Sequence, residues 1–276
     1  MRSVLVTGCS TGIGRACVNR LATHGWRVFA GVRSESDAEA IAAEPGEVVP
    51  LRLDVADREA IAAAAEIVAA QTGGRLEGLV NNAGIAVGGA LETVPVEDLR
   101  RILDVNVVGQ VAVTQALLPL LRSGGGRIVI VGSVGGRVAF PYAGPYHASK
   151  FALEALADSL RVELKRQGVA VSLVEPGPIS TPIWRKATEQ VAAQRASLDG
   201  EVQQLYAEGL KGFEQRLRSA DEHGEGPEKV AAKIAAALEG SASSRYPVGR
   251  GVRTLINLRS LLPDFAFDRL ARRVGN

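Results

Sequence analysis

The chain opens on an apolar segment, Val4-Leu5-Val6, that runs directly into Thr7-Gly8-Cys9-Ser10-Thr11-Gly12-Ile13-Gly14 and then into a helical stretch near residues 13–24. A strand, a glycine-rich turn and a helix in that order leave few ways to fold. Glycines allow a tight turn and let backbone approach a pyrophosphate closely. The following helix N-terminus presents free N–H groups and a partial positive charge to that anion. The spacing is Gly-x-x-x-Gly-x-Gly, not the commoner Gly-x-Gly-x-x-Gly. The placement predicts a nucleotide site on Gly8, Ser10, Thr11, Gly12, Ile13 and Gly14.

The strand–helix alternation continues along the chain. β-Branched runs at 4–6, 27–32, 48–53, 78–80, 127–131, 170–174 and 245–248 read as strands, with helical stretches near 13–24, 35–43, 57–71, 95–121, 147–167 and 227–239. Such alternation implies βαβ units and a parallel sheet. Several strands are almost wholly apolar, as expected when both sheet faces are covered. The expected fold is α/β: one doubly wound Rossmann-type domain over residues 1–276, with a seven-stranded parallel sheet flanked by helices on both faces.

Two segments stand outside the alternation. Residues 182–225 form an insertion after the sixth strand, helical in composition, with Trp184, Leu198, Leu205, Tyr206, Leu210 and Phe213 as apolar anchors. Beyond the C-terminal end of a strand, an insertion of that length is placed to cover a substrate site. Residues 250–276 form a helical tail carrying Arg250, Arg253, Arg259, Arg269, Arg272 and Arg273 against Asp264 and Asp268. It reads as a solvated helix face or as a contact for an anionic surface.

Composition removes several function classes. A net charge of +2 makes no general case for nucleic acid or membrane binding. Cys9 and Cys17 both lie at the first turn and its helix, which suits free thiols in a reducing compartment. His24, His147 and His223 are scattered without ligand spacing, so no metal is expected. No leader is recognisable before the first strand, and no apolar run nears a bilayer's thickness. The expected location is cytoplasmic.

Cofactor choice should be made at the tip of the second strand, Val28-Phe29-Ala30-Gly31-Val32-Arg33-Ser34. An acid there would bind a ribose 2′-hydroxyl, whereas an arginine accommodates a 2′-phosphate. Arg33 stands where the acid would be, with Ser10 and Thr11 as extra hydroxyl donors. This favours NADP(H) over NAD(H), unless Arg33 only stacks on the adenine. Asp54 and Val55, after the third strand, join the cofactor set. Asp54 could accept from the adenine amino group or cap the helix beginning near Asp57. In Asn81-Asn82-Ala83-Gly84, Asn82, Ala83 and Gly84 should brace the sheet edge and approach the adenosine ribose.

Tyr146 and Lys150 are four residues apart in a helical stretch, hence on one face, with Ser133 thirteen residues before Tyr146. An ammonium beside a phenol favours the phenolate, and a tyrosine so tuned can exchange a proton with a substrate oxygen. Ser133 could hold that same oxygen. His147 and Cys9 read as packing or supporting residues.

These residues match a known family. Gly8-x-x-x-Gly12-Ile13-Gly14, Asn81-Asn82-Ala83-Gly84, Asn106, Ser133, Tyr146-x-x-x-Lys150 and Pro176-Gly177, in that order and spacing, resemble the short-chain dehydrogenase/reductase signature set. The resemblance implies that Tyr146 is the general acid/base. It implies that Lys150 binds the nicotinamide ribose and lowers the tyrosine pKa, and that Ser133 binds the reacting oxygen. Asn106, an unfavourable residue within an apolar helical run, would hold a relay water, or else bond to a neighbour. Pro176, Gly177, Ile179 and Thr181 would wrap the nicotinamide, the last two reaching its carboxamide. Within the family, the first turn, Val-Phe-Ala-Gly-Val-Arg and Arg245-Tyr246-Pro247-Val248-Gly249 are similar to the 17β-hydroxysteroid dehydrogenase-like group. That group implies steroid-, retinoid- or lipid-like substrates. Gly132, where a serine is common, and the long tail after the last strand depart from usual forms, and the tail puts the usual tetramer contact in doubt.

The expected activity is reversible hydride transfer between NADP(H) and a carbonyl/secondary alcohol pair. The alternatives are an NADP(H)-binding regulatory protein without turnover and a dehydratase or epimerase of the same fold. The helix with Phe151, Leu153, Leu156, Leu160 and Leu164, together with the 95–121 helix, is expected to form a homodimer interface. Val138, Phe140, Tyr142, Trp184 and Tyr206 are expected around the substrate.

Overall fold

Seven strands lie side by side, all parallel, in the computed structural model, which describes residues 1–240 and 243–275. Asn276 and the side chain of Arg273 from the basic tail lie outside the described residues. The strands are β1 (Arg2–Val6), β2 (Trp26–Val32), β3 (Glu47–Arg52), β4 (Gly78–Asn81), β5 (Arg127–Val131), β6 (Ala170–Pro176) and β7 (Arg245–Val248). Their order across the sheet is 3-2-1-4-5-6-7. The winding reverses between β1 and β4, so the connections leave in opposite directions there and open a crevice at the strands' C-terminal ends. The expected sheet is therefore present, and each predicted strand lies within an observed one or overlaps it.

Helices cover both faces because the strands are apolar on both. On one face α1 (Gly12–Thr23) and α9 (Pro227–Glu239) bury Cys17, Val18, Leu21, Val230 and Ile234 with Val4, Val6, Val28 and Val129. On the other, α3 (Arg58–Thr72), α5 (Gly109–Gly124) and α6 (Gly144–Glu163) bury Ile61, Val68, Leu117, Leu121 and Leu153 with Leu5, Phe29, Leu79 and Ile128. The short α2 (Glu35–Ala42) starts at Ser34, whose hydroxyl accepts from Asp37 N at 3.1 Å.

The predicted helix over 95–121 is broken. It consists of α4 (Val96–Leu103), a π turn (Asp104–Val108) and α5. The wide turn faces Asn106 inward, and Gly109 follows so closely on β3's exit that a Cβ there would lie 2.5 Å from Val55 O. The run Val96–Gly124 is 29 residues long and apolar enough to span a bilayer by length and composition, contrary to expectation. It lies along the sheet, with Ile102, Val113, Leu117 and Leu121 buried, so the apolarity serves the core.

The insertion is a helical hairpin, α7 (Pro182–Ser197) and α8 (Gly200–His223). Val191, Leu210, Phe213 and Leu217 form its own small core, with Trp184, Leu198 and Tyr206 packed against it. Leu205 is no anchor, being 71% exposed on the outer face of α8. The tail folds into α10 (Val252–Leu261) and α11 (Asp264–Gly275). Phe267 and Ala271 of α11 pack on Val138, with Phe140 alongside. Val138 and Phe140 are thus covered by the tail and do not face a substrate, because α11 supplies an apolar partner from far along the chain.

Candidate active site

The crevice at the β1/β4 reversal is a cleft of about 690 Å³. Gly8, Ser10, Thr11, Gly12 and Ile13 form its floor where β1 turns into α1. Arg33, Asp54, Val55, Asn82, Ala83 and Gly84 line one end, and Ser133, Tyr146, Lys150, Pro176, Gly177, Ile179 and Thr181 line the other. Eighteen of the predicted residues thus meet in one cleft. Gly14 and Asn106 do not line it and act from behind.

The floor is shaped for an anion held by backbone. Gly8 and Gly12 have φ of +69° and +57°, a region side chains disfavour. A Cβ on Gly8 would lie 2.9 Å from Ala83 Cα, and one on Gly14 would run into the Gly8 carbonyl. Asn82 donates to Thr7 O (2.9 Å) and Gly8 O (3.1 Å), while Thr7 Oγ1 accepts from the Asn82 and Ala83 N–H groups, each at 2.9 Å. The turn is therefore pinned to β4. Thr11 precedes α1 in extended conformation and its side chain makes no capping hydrogen bond. The first N–H groups of α1 face the cleft without a side-chain acceptor, an arrangement that fits the pyrophosphate of a dinucleotide.

At the adenosine end, Arg33 is exposed beside Ser10 and Thr11, and no acid sits at the tip of β2. Asp54 Oδ1 accepts from Ala56 N at 2.9 Å, closing a local turn. The cap of α3 belongs to Asp57, which accepts from Glu59 N and Ala60 N, so Asp54 does not cap that helix. Arg101, from α4, lines the same cleft, as do Lys186 and Gln190 from α7. These three were not foreseen. Only their helical placement, one or two turns from Val105 and Thr181, hints at it.

At the other end, Tyr146 and Lys150 lie one turn apart on α6, facing the end of β5. Lys150 is 5% exposed, and its ammonium donates to Val131 O at 2.9 Å, 5.8 Å from the centre of the Tyr146 ring. Burial pushes Lys150 down to about 8. Burial also raises the Tyr146 phenol, and a hydrogen bond with Ser133 partly offsets this. The ammonium is engaged by a carbonyl, and the expected lowering of the phenol by Lys150 does not appear. Tyr146 keeps part of its surface open to the cleft, so the positive charge beside it matters once water is displaced.

Ser133, two residues past the end of β5, is extended, caps the following turn and accepts from Gly135 N at 3.0 Å. His147 fixes the same loop: Nε2 accepts from Phe140 N at 3.1 Å and Nδ1 faces Gly135 O at 2.9 Å, which assigns the proton to Nδ1. Burial holds this imidazole below its ordinary pKa, consistent with a neutral brace. Cys9 is buried, with its thiol on Val6 O.

Asn106 is fully buried. Its Oδ1 accepts from Ile85 N (2.8 Å) and its Nδ2 donates to Ile85 O (2.9 Å) and Ser149 Oγ (3.0 Å). Ser149 Oγ in turn donates to Tyr146 O at 2.7 Å. One amide therefore joins the π turn, the loop after β4 and the first turn of α6. These bonds span three elements instead of one helix face.

The α7–α8 hairpin roofs this end. The Trp184 indole donates to Ile179 O at 2.7 Å, and its ring meets the Tyr146 ring edge-on at 6.1 Å. Thr181 Oγ1 also donates to Ile179 O, at 3.3 Å. Gln190 accepts from Gly88 N (3.2 Å) and Gln194 donates to Thr93 O (2.7 Å), which ties the roof to the loop after β4. Tyr142 sits at φ +69° and packs on Phe213, and Tyr206 donates to Glu92 at 2.5 Å. These two tyrosines join roof to wall outside the cleft lining, whereas Trp184 faces it.

A family model described as short chain dehydrogenase matches residues 2–192. The chain is 46% identical over 186 residues to a 3-amino-tetrahydro-pyrrolizinone reductase of Xenorhabdus hominickii, covering 67% of this chain and 64% of that protein. It is 44% identical over 194 residues to the human 17-beta-hydroxysteroid dehydrogenase type 1, covering 66% and 58%. The alignments thus span less than two thirds of these relatives' length. Among solved structures, a short chain dehydrogenase/reductase of Burkholderia phymatum in complex with NAD superposes with TM-score 0.79 at 25% identity, covering 94% of this chain and 92% of that one. One of Burkholderia cenocepacia in complex with NADP superposes with TM-score 0.74 at 26% identity, covering 99% of each.

Proposed function

The chain belongs to the short-chain dehydrogenase family, and on that premise we propose that it interconverts a carbonyl and a secondary alcohol with NADP(H). It is an oxidoreductase that uses a nicotinamide cofactor. The preference for NADP(H), the substrate class and the residue roles are our reading. The convergence of Tyr146, Lys150 and Ser133 at one end of a cleft whose other end suits a pyrophosphate carries it.

The nicotinamide cofactor, when bound, supplies or accepts the hydride. Gly8, Gly12, Ile13 and the α1 N-terminus would hold its pyrophosphate, and Arg33 with Ser10 and Thr11 the 2′-phosphate. Asp54, Val55, Asn82, Ala83 and Gly84 would seat the adenosine, and Pro176, Gly177, Ile179 and Thr181 the nicotinamide end. Tyr146 Oη donates a proton to the carbonyl oxygen in reduction and accepts it in oxidation. Ser133 Oγ donates a hydrogen bond to that oxygen, supporting negative charge as it develops. Lys150 would bind the nicotinamide ribose and set a positive charge beside the phenolate, and Asn106 keeps Tyr146 and the loop after β4 in register. General acid–base catalysis of this kind contributes roughly 10²–10⁴-fold.

The substrate is a steroid-, retinoid- or lipid-like carbonyl compound. Support comes from the aromatic and aliphatic wall of Trp184 and Ile183 beside Tyr146 and from the likeness to a hydroxysteroid dehydrogenase. The working form is a homodimer; Leu153 and Leu164, expected in its interface, are buried in the chain's own core, with Leu160 packed against it, so the contact would rest on Val108 in the π turn before α5 and on Phe151 and Val162 of α6, which are 53%, 45% and 69% exposed. NADPH oxidation against a panel of apolar ketones tests the reading. Consumption with formation of the alcohol supports it, and binding of NADPH without turnover of any carbonyl contradicts it.

A further inference from the structure

Behind the Tyr146 end of the cleft, four segments meet at two buried carboxyl groups. Glu175 is the penultimate residue of β6, directly before Pro176, and its side chain is 1% exposed. Glu154 lies one turn beyond Lys150 on α6, its side chain 10% exposed. The two carboxyl groups are within hydrogen-bonding reach of each other. Among the described residues, Oε1 of each accepts no hydrogen bond, although Arg137 and Arg245 lie 3.6 and 3.9 Å from that of Glu175. Such orphaned buried oxygens cost free energy unless a proton joins them.

Charged side chains from several elements surround the two carboxyl groups. Arg137 faces both carboxyls at 3.6 Å, and Arg245 of β7 reaches Glu154 Oε2 (3.0 Å), Asp158 Oδ2 (2.8 Å) and Glu175 Oε1 (3.9 Å). Arg161 pairs with Asp158 on the solvent side, and Arg259 of α10, lining the groove beside Arg137, pairs with Asp264. Arg161 balances Asp158, and Arg137 and Arg245 face the two glutamates, so the net charge does not demand a proton. The proton is called for by the two Oε1 atoms, and one shared between the glutamates supplies the donor they lack.

We infer that Glu175 is protonated and donates to Glu154, and that this neutralised pair, with Arg137, positions the segments bearing Ser133 and Pro176 against α6. The connections are short. Arg137 follows the turn capped by Ser133, and a Cβ on Gly136 within that turn would lie 2.8 Å from Lys150 O and 3.2 Å from Glu154 Cγ. Gly132 N donates to Val174 O at 2.8 Å, and Ser133 Oγ reaches Pro176 O at 3.5 Å. Loss of the proton would set two carboxylates face to face at the point where these segments join. Burial and the neighbouring Glu154 raise Glu175 to about 7, from the ordinary 4.5. Because the folded-state value is raised, stability is fully present below about 4.5 and is lost as pH rises through about 7.

Infrared titration of the full-length protein tests this directly. The wild type should show a buried protonated-carboxyl band that disappears as pH rises through about 7. Glu175→Gln should lack that band, and Glu154→Gln should shift its loss to lower pH by removing the like charge. The wild-type Tm should fall between pH 5 and 7, and that fall should be absent from Glu175→Gln. A protonated-carboxyl band that persists in Glu175→Gln, or none in the wild type at pH 6, overturns the inference. Displacement of Ser133 on loss of the proton should also lower kcat as pH rises through about 7, and this consequence rests on the proposed activity. Absence of any turnover would sink that activity, while the infrared band would still decide the proton.

Discussion

Lys150 donates to the Val131 carbonyl at 2.9 Å, two residues before Ser133, so the lysine and the serine are fixed to the same strand end. This bond holds a cation that burial has made easy to neutralise, down to about 8. Phosphate and ribose oxygens of a bound cofactor would favour the ammonium again. Cofactor affinity in the wild type should therefore fall as pH rises through about 8. Lys150→Met should weaken binding about tenfold or more and remove that pH dependence, as read by fluorescence titration of NADPH.

Asn106 joins three segments through one amide. Asn106→Ala removes the partner of the half-buried Ile85 N–H and C=O and of Ser149. It should cost about 2–4 kcal/mol in denaturant unfolding, with no change in m-value.

Arg33 lies at the β2 tip with Ser10 and Thr11 beside it. If it binds a 2′-phosphate, Arg33→Ala should reduce the ratio of NADP(H) to NAD(H) affinity by roughly 10–100-fold. An unchanged ratio measured by calorimetry would return Arg33 to stacking on the adenine.

Phe151 stands on the outer face of α6 at 45% exposure. Phe151→Glu would place a charge in the proposed two-fold interface. Light scattering at micromolar concentration should show dimers for the wild type and monomers for the variant. A wild-type monomer would contradict the assembly.

Much of this was legible in the chain because it is written locally. The strand–turn–helix at 4–14 and the apolar strands need only short-range pattern, and glycine at Gly8 and Gly12 is demanded by positive φ. What was not legible depends on distant partners. The π turn at Asp104–Val108 goes with a bond from Asn106 to Ile85, 21 residues away. The cap of α3 was open between Asp54 and Asp57 because both have suitable side chains, and only geometry separates them. Val138 and Phe140 resemble pocket residues until α11 covers them. Arg101 and Lys186 reach the cleft by helix placement alone.

Tyr146 is the proposed proton donor and acceptor. Steady-state kinetics of Tyr146→Phe on the best ketone of the panel, with NADPH affinity measured in parallel, tests this most directly. Loss of at least ~10²-fold in kcat, with cofactor Kd within about twofold of wild type, is predicted. Near-normal turnover by Tyr146→Phe would contradict the assignment.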